Sequence, residues 1–391
     1  MSNPIYNISL GFNARFGVGS IQDIGKSSQR AGIKKALIVC DPMMVKIGYA
    51  GKIQDILSKS GLDSVIFDQC VENPKASDVT EGAKVFNAQG CDGIIALGGG
   101  SPIDQAKGIR IVAKYGGTAQ DFNIMGGSRA REIKGDMPPM IAVPTTSGTG
   151  SEATSAAVIT DTERNVKFIL ANPFLLPTNV ILDPELTVSM PPKVTAATGM
   201  DALVHALEAY VTAAANPISD SFGRTTFTLI GKSLKKAVEK GEDLEARSDM
   251  SMASLLAGLA FGIAGLGAVH SLAHPLGGRH HIAHGLANSI MLPHVMRYNT
   301  KTSEARYVEA AKCMGKDIRT GEEAASAMTQ FAASLGLPTR LSEIGIKEAD
   351  LLQLSKDAAA DGSHFRNPVP CTQETLLEMY KQAFKPHGAD T

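Results

Sequence analysis

The chain has 391 residues, a length that suggests two domains with enough chain for a hydrophobic core in each. Hydrophobic residues make up 43% and charged residues 20% of the chain, as in ordinary globular enzymes, and the formal net charge is −1. Because the charges nearly balance and are spread along the chain, nothing favours binding to nucleic acid or to a membrane surface.

The cysteines and the N-terminal sequence predict a cytoplasmic protein. The five cysteines are scattered and form no Cys-x-x-Cys pair, which predicts free thiols in a reducing compartment rather than a disulfide framework or a cysteine zinc site. The N-terminal sequence has no charged-then-apolar signal pattern. No apolar run approaches the ~20 residues that a membrane span needs.

The first half of the chain alternates short apolar runs with amphipathic stretches, which predicts βαβ units and a parallel sheet. After Pro191-Pro192 strand-like runs largely vanish and alanine, leucine and methionine become frequent, which predicts a helical second half. We place the boundary so that the domains are 1–186 and 187–391. The predicted strands are Lys35–Cys40, Ser64–Phe67, Gly93–Leu97 and Met140–Val143, and the amphipathic stretches between them include Ile53–Ser60 and Ala76–Ala88.

Polar or glycine-rich loops follow several of these strands. Gly98–Asp104 (GGGSPID) follows one strand, and Pro102 stands where a helix would begin, so a pyrophosphate would rest on a helix N-terminus. Pro144–Glu152 (PTTSGTGSE) follows another strand with hydroxyls and glycines. Loops at the carboxyl ends of neighbouring parallel strands converge on one crevice, where such sheets bind nucleotides.

Asp41 directly follows the first predicted strand, where an acid can bind the adenosine ribose and repel a 2′-phosphate. Asn73 after the next strand could border the same nucleotide. The alternatives are that Asp41 caps a helix or lies in a solvated turn, and that Gly98–Asp104 only turns the chain. Gly17-Val18-Gly19 is discounted because no apolar strand precedes it.

Six of the nine histidines lie in Gly265–His294. Asp201 and His205 are four residues apart, as are His270 and His274, so each pair shares one face of a helix. A carboxylate with several imidazoles is typical of a site for Fe(II) or Zn(II). The predicted ligands are Asp201, His205, His270 and His284. The alternative is that these are ordinary core or surface residues.

Four motifs together resemble the iron-dependent (group III) alcohol dehydrogenases, which include lactaldehyde:propanediol oxidoreductases, propanediol dehydrogenases and bacillary methanol dehydrogenases. They are GGGSPID at Gly98–Asp104, PTTSGTGSEAT at Pro144–Thr154, ATGMDALVHALEAY at Ala197–Tyr210 and GLGAVHSLAHPLGG…HG…N…LPH at Gly265–His294. The resemblance covers nearly the whole chain. It implies a Rossmann-like α/β dinucleotide-binding domain followed by an all-α metal-binding domain.

Site residues also follow from the resemblance. It implies the same four metal ligands, with Fe(II) as the metal and Zn(II) or Mn(II) as alternatives. His274 would lie near the nicotinamide, and His274 and His280 are the expected catalytic residues. The cofactor is expected to be NAD(H), preferred over the phosphorylated form because of Asp41. The expected contacts are Asp41, Asn73, Gly99, Gly100, Ser101, Asp104, Thr145, Thr146, Thr149, Lys167 and His274.

The sequence departs from the family pattern where the substrate pocket is expected. Basic residues precede His284, and Asn367-Pro368 is followed by valine instead of arginine. One interpretation is that a guanidinium holds the anionic tail of an aldehyde such as sulfoacetaldehyde or phosphonoacetaldehyde. The other is that Arg279 and His281 are merely solvated. The residues expected near substrate are Ala156, Phe261, Arg279, His280, Ser363 and Arg366.

The predicted function is a metal-dependent NAD(H) oxidoreductase that interconverts a small primary alcohol or diol and its aldehyde. An alcohol on such a metal becomes more acidic and passes hydride to the nicotinamide. A dehydroquinate-synthase-like lyase is the remote alternative, disfavoured because its ligand pattern differs. A non-catalytic binding protein is less expected still, because every part of the site is present. A homodimer or larger homo-oligomer is expected.

Overall fold

The described residues of this computed structural model, 11–124, 130–164 and 166–385, divide into two units. The sheet unit comprises the described residues of 11–146 and 150–189, and the helical unit comprises 147–149 and 190–385. This arrangement confirms the fold class that the sequence predicts: an α/β unit with a parallel sheet, followed by a helical unit.

The sheet unit is built on six parallel strands in the order β1-β8-β5-β4-β2-β3, with a separate antiparallel hairpin of β6 and β7. Each of the four predicted strands is present with ends shifted by at most one residue, since the first ends at Val39 and the second begins at Asp63. The strands are β1 Asn13–Phe16, β2 Lys35–Val39, β3 Asp63–Phe67, β4 Gly93–Gly98, β5 Met140–Pro144, β6 Ala156–Asp161, β7 Val166–Ala171 and β8 Asn179–Leu182.

Five α-helices pack in the described part of the sheet unit. The side chains of β4 and β5 are buried on both faces, as in parallel sheets that are covered by helices. The hydrophobic runs that predict these strands therefore reflect two-sided burial. The helices are α1 Ile24–Arg30, α2 Pro42–Lys46, α3 Tyr49–Lys59, α4 Ala76–Ala88 and α5 Gly100–Tyr115.

Among its described residues, the helical unit contains only helices and loops. Several helices begin with capping side chains: Asn216 accepts from the Ser219 amide, and Thr320 accepts from the Glu323 amide. The helices are α6 Pro192–Val211, α7 Pro217–Glu239, α8 Leu244–Ala264, α9 Ala268–His280, α10 His284–Cys313, α11 Gly321–Ser334, α12 Leu351–Ala360 and α13 Gln373–Phe384.

No single helix in the described part of the chain is long and apolar enough to cross a membrane. Only α8 and α9 taken together, a pair bent by 110°, meet that criterion by length and composition.

Helix α6 is the centre of the helical unit. It packs against α7, α8 and α10, and nearly all of its residues from Gly199 to Val211 are buried. The first turn of α10 approaches α6 so closely that a Cβ on Gly285 would lie 2.1 Å from the Ala197 carbonyl oxygen and 3.2 Å from the Asp201 Cβ. Only glycine permits this approach, and it brings His284 beside Asp201.

We therefore predict that Gly285→Ala destabilises the protein by about 1–3 kcal/mol, because backbone atoms cannot move aside as a flexible side chain can. Gly278→Ala in α9 is the matched control, since no heavy atom lies within 4 Å of its new Cβ and alanine favours helix by up to about 1 kcal/mol. Thermal unfolding measures both effects. Equal melting temperatures for the two variants would contradict the close-approach argument.

Candidate metal centre and nucleotide-binding loops

Four side chains from three helices meet inside the helical unit. Asp201 and His205 lie one turn apart on α6, His270 lies in the first turn of α9, and His284 begins α10. One carboxylate oxygen and one ring nitrogen from each histidine lie within 4.8 Å of one another. The structure thus brings together the four residues that the sequence predicts as metal ligands.

Hydrogen bonds orient two of these imidazoles. The Nδ1 of His270 lies 2.6 Å from Oε2 of the buried Glu208, and the Nδ1 of His205 lies 3.2 Å from the carbonyl oxygen of Gly148. The Gly148 carbonyl can only accept, so the His205 Nδ1 donates to it and the His205 Nε2 keeps its lone pair. Burial raises the pKa of Glu208 to about 7, and in its ionised form Glu208 accepts from the His270 Nδ1 in the same way. This is the usual way in which a protein fixes a histidine for metal ligation.

The donor set fits a divalent metal ion. The Asp201 Oδ1 lies 3.8 Å from the His205 Nε2 and 3.6 Å from the His284 Nε2. Two ligands held about 2.1 Å from one tetrahedral ion would be roughly 3.4 Å apart, so little movement is needed. One carboxylate with three imidazoles suits iron or zinc.

Asn288 lies beside this cluster. Its amide nitrogen is 2.7 Å from the Asp201 Oδ1, 3.2 Å from the His270 Nε2 and 3.1 Å from the His284 Nε2. An amide has two hydrogens, so it cannot satisfy three acceptors at once. Buried acceptors in excess of donors are the arrangement that a cation stabilises.

Electrostatics favour the metal-binding protonation states of His270, His284 and Asp201. Burial lowers the pKa of His270 well below its usual value, and burial also lowers the pKa of His284. Burial acts against ionisation of Asp201, but the imidazoles and the Asn288 amide outweigh it and lower the pKa of that carboxyl. Neutral imidazoles and an ionised carboxylate are the forms that ligate metals.

The other predicted active-site residues of the helical unit have these positions. His274 lies on α9 one turn after His270, and its Nδ1 is 2.7 Å from the Asp361 Oδ2. The half-buried His280 is the last residue of α9. The Phe261 ring stacks on the His205 ring with centroids 4.4 Å apart, and Ser363 donates its backbone N–H to Asp361.

The two arginines predicted near substrate both have protein partners. Arg279 forms an ion pair with Asp357. The Arg366 Nη1 donates to the Ala264 carbonyl at the C-terminal end of α8, 3.2 Å away. Cations are favoured near helix C-termini, and Arg279 also lies in the last turn of α9, so both positions have a structural explanation.

In the sheet unit the predicted phosphate loop adjoins the loop after β5. Strand β4 ends at Gly98 with φ of +141°, a conformation that favours glycine, and α5 begins at Gly100. Ser101 lies in the first turn of α5, and a Cβ on Gly99 would lie 3.1 Å from the Thr146 side chain. The Thr145 amide bonds the Gly98 carbonyl. Thr149 belongs to the helical unit.

Asp41 caps a helix and also faces the glycine loop. Its Oδ1 accepts from the amides of Met43 and Met44 at 2.8 and 3.2 Å, which makes it the N-cap of α2. Its Oδ2 lies 3.5 Å from where a Cβ on Gly98 would be. The capping alternative is therefore realised, while the second oxygen lies on the side of the predicted phosphate loop.

Two further predicted cofactor residues lie together. The Lys167 Nζ on β7 donates to the Asn73 Oδ1 at 2.6 Å, and Asn73 has a left-handed backbone with φ of 58°. Burial lowers the pKa of Lys167.

Asp104, another predicted cofactor residue, has both carboxylate oxygens engaged within the protein. They accept from the Ser151 hydroxyl and the Val158 amide, so Asp104 connects α5 to the hairpin of β6 and β7. The buried Lys107 on α5 strengthens this connection, because its Nζ donates to the carbonyl oxygens of Ser151 and Ala156.

Comparisons with known proteins agree with this geometry. The family model "Iron-containing alcohol dehydrogenase" matches residues 13–184, and "Fe-containing alcohol dehydrogenase family, C-terminal" matches residues 195–384. The chain belongs to the iron-containing alcohol dehydrogenase family. It is 40% identical to the 1,3-propanediol dehydrogenase of Klebsiella pneumoniae over 94% of this chain and 96% of that protein.

Two other relatives extend the comparison. The NAD-dependent methanol dehydrogenase of Bacillus methanolicus is 38% identical over 94% of this chain and 97% of its own. The sulfoacetaldehyde reductase of Bifidobacterium kashiwanohense, solved in complex with NAD+, is 29% identical with a TM-score of 0.90, covering 97% of this chain and 99% of its own. The chain is thus an enzyme of alcohol–aldehyde oxidoreduction in a family that binds metal and uses NAD.

Several residues of the site were not predicted. Glu208 lies three residues after His205, and Asn288 lies four residues after His284, so helical spacing could have indicated both. Asp361, Ser271 and His364 form a hydrogen-bonded group next to His274. Asp361 is 87 residues from His274 in sequence, so no local pattern connects them.

Proposed function

We propose that this chain is a metal-dependent NAD(H) oxidoreductase that interconverts a small uncharged primary alcohol or diol and its aldehyde. The observation that carries the proposal is the cluster of Asp201 with three imidazoles, two of which are fixed with Nε2 toward the cluster. The similarity to propanediol and methanol dehydrogenases supports the substrate class.

The four clustered residues would hold Fe(II), with Zn(II) or Mn(II) as alternatives. A divalent ion held there supplies Lewis acidity, which makes an alcohol hydroxyl more acidic and polarises an aldehyde carbonyl. Residues of the chain would exclude water and accept the proton. Phe261 covers one face of His205 and limits access of water from that side, and His274 accepts the proton that the alcohol gives up. His280 and Ser363 stay predictions as residues bordering the substrate.

The proposed cofactor is NAD(H). In the sheet unit, the first-turn amides of α5 at Gly100 and Ser101 are positioned to receive a pyrophosphate. We assign the adenosine side of the proposed site to the Oδ2 of Asp41, which faces Gly98, and to the hydrogen-bonded Asn73–Lys167 pair. The NAD+ complex of the sulfoacetaldehyde reductase supports the same cofactor here.

A second candidate is reduction of a small anionic aldehyde, because the chain is similar to a sulfoacetaldehyde reductase. The ion pair of Arg279 argues against it. An anionic tail needs a cation that is not already neutralised, and Arg279 is paired with Asp357. Arg366 gives one N–H to the Ala264 carbonyl and keeps its charge, so Arg366 is the residue on which the anionic alternative depends. A cytoplasmic location and a homo-oligomeric state stay predictions from the sequence.

We predict that the purified protein, supplied with metal, oxidises NADH with propionaldehyde and 3-hydroxypropionaldehyde. Their kcat/KM is expected to exceed that of sulfoacetaldehyde by about tenfold or more, because one missing charge-assisted contact is worth about 1.5–3 kcal/mol. Steady-state NADH consumption measures this. Preference for sulfoacetaldehyde, with selective loss of that activity in Arg366→Ala or Arg279→Ala, would establish the anionic alternative. No NADH oxidation with any aldehyde would refute the oxidoreductase proposal.

The nucleotide preference gives a separate prediction. Asp41→Gly should raise kcat/KM for NADPH relative to NADH, since a carboxylate that repels the 2′-phosphate is removed. Glycine is a suitable replacement because it is tolerated at helix N-caps at a cost of only a few tenths of a kcal/mol. Asn172→Gly, which removes a partly exposed N-cap in the sheet unit, is the control and should leave the ratio unchanged. The same ratio in wild type and Asp41→Gly would mean that Asp41 does not face the ribose.

A further inference from the structure

His274 lies at the metal cluster but outside its four ligands. Its ring stacks on the His284 ring with centroids 5.5 Å apart and an interplanar angle of 14°, and its Nδ1 is 2.7 Å from the Asp361 Oδ2. Asp361 follows the last residue of α12 and is partly buried. The imidazole is therefore held on one side by a ligand ring and on the other by a carboxylate.

The other oxygen of Asp361 is also engaged. Oδ1 accepts from the Ser271 hydroxyl at 3.1 Å and from the Ser363 amide at 2.8 Å. Burial acts to raise the pKa of Asp361, but the hydrogen bonds from His274 and Ser363 outweigh it and hold that pKa well below its usual range. An ionised carboxylate only accepts hydrogen bonds. The hydrogen between His274 and Asp361 must therefore be on the His274 Nδ1.

Ser271 and His364 fix the direction of the remaining hydrogen bonds. Ser271 has one hydroxyl hydrogen, which it gives to Asp361. It can then only accept from the buried His364, whose backbone N–H is 2.8 Å and whose Nδ1 is 3.3 Å from the Ser271 oxygen. His364 thus donates to Ser271 and Ser271 donates to Asp361, and together with the Ser363 amide this holds the carboxylate in place as an acceptor for His274.

We propose that Asp361 is a positioning residue that holds His274 as the Nδ1–H tautomer, so that Nε2 accepts the proton from the substrate alcohol. The inference rests on the proposed function. In oxidation, the alcohol oxygen would give its proton to the His274 Nε2, and the alcohol carbon would give a hydride to bound NAD+, which leaves an aldehyde. In reduction, both transfers reverse. The Asp361 carboxylate stabilises the imidazolium in either direction.

The test compares Asp361→Asn, His274→Ala and the double variant with a small uncharged aldehyde. Asparagine keeps the shape of Asp361 but removes its charge, and we expect kcat to fall about 10- to 100-fold. We expect KM, bound metal and NADH affinity to stay near wild-type values. Because Asp361 acts through His274, adding Asp361→Asn to His274→Ala should cause no further loss. If the fold-loss of kcat in the double variant equals the product of the two single-variant losses, the two residues act independently and the proposal is wrong.

Asp357→Asn is the matched control. Asp357 lies four residues earlier and also pairs with a side chain from α9, Arg279, in an exposed ion pair. Its loss should change kcat by less than about twofold. If Asp361→Asn does not fold, Ser271→Ala removes one donor to the carboxylate and should lower kcat in wild type but not in the His274→Ala background. An equal loss in both backgrounds would contradict the positioning role.

A second readout does not depend on turnover. In the zinc-loaded protein, imidazole 15N shifts distinguish a protonated from an unprotonated Nδ1. We expect His274 to be the Nδ1–H tautomer in wild type and a mixture of tautomers in Asp361→Asn. The Nε2–H tautomer in wild type would refute the assignment. A wild-type protein with this tautomer but no oxidoreductase activity would instead refute the proposed function alone.

Discussion

The helical unit depends on one constraint: four lone-pair atoms from three helices converge on a space a few ångströms wide. Buried acceptors that face one another are unfavourable unless a cation or enough donors neutralise them. Here the donors are too few, since the Asn288 amide alone approaches three of the acceptors. The close approach of Gly285 to Ala197 exists because α10 must bring His284 beside Asp201. The packing of α6, α9 and α10 is thus shaped by the site.

The same hydrogen-bond arrangement recurs at three histidines of the site. His205, His270 and His274 each direct Nδ1 at an acceptor: a backbone carbonyl, the carboxylate of Glu208 and the carboxylate of Asp361. This leaves Nε2 as the reactive nitrogen of each ring. The position of each ring decides whether it is a metal ligand or a proton acceptor. His205 and His270 reach the ligand cluster, whereas His274, one turn further along α9, lies beside it.

The parts of this structure that sequence could predict are those encoded by local spacing. The apolar runs of β2 to β5 identify the parallel sheet, and the four-residue spacing of Asp201 and His205 identifies the metal ligands of α6. Strand β1 was missed because its four residues, Asn13–Phe16, are exposed and include no continuous apolar run. The partners of His274 and Arg279 lie more than seventy residues away on α12 or just after it, and periodicity holds no information about such contacts. For that reason the sequence indicated Arg279 as a candidate anion binder, whereas the structure pairs it with Asp357.

Metal binding by the histidine cluster is the central claim, and its most direct measurement is the metal content of purified His270→Ala. His281→Asn is the control, because His281 is exposed and its left-handed backbone is one that asparagine tolerates. The account predicts about one metal ion per chain in wild type and in His281→Asn, and far less in His270→Ala, with NADH affinity unchanged in all three. Full metal content and normal turnover in His270→Ala would contradict it.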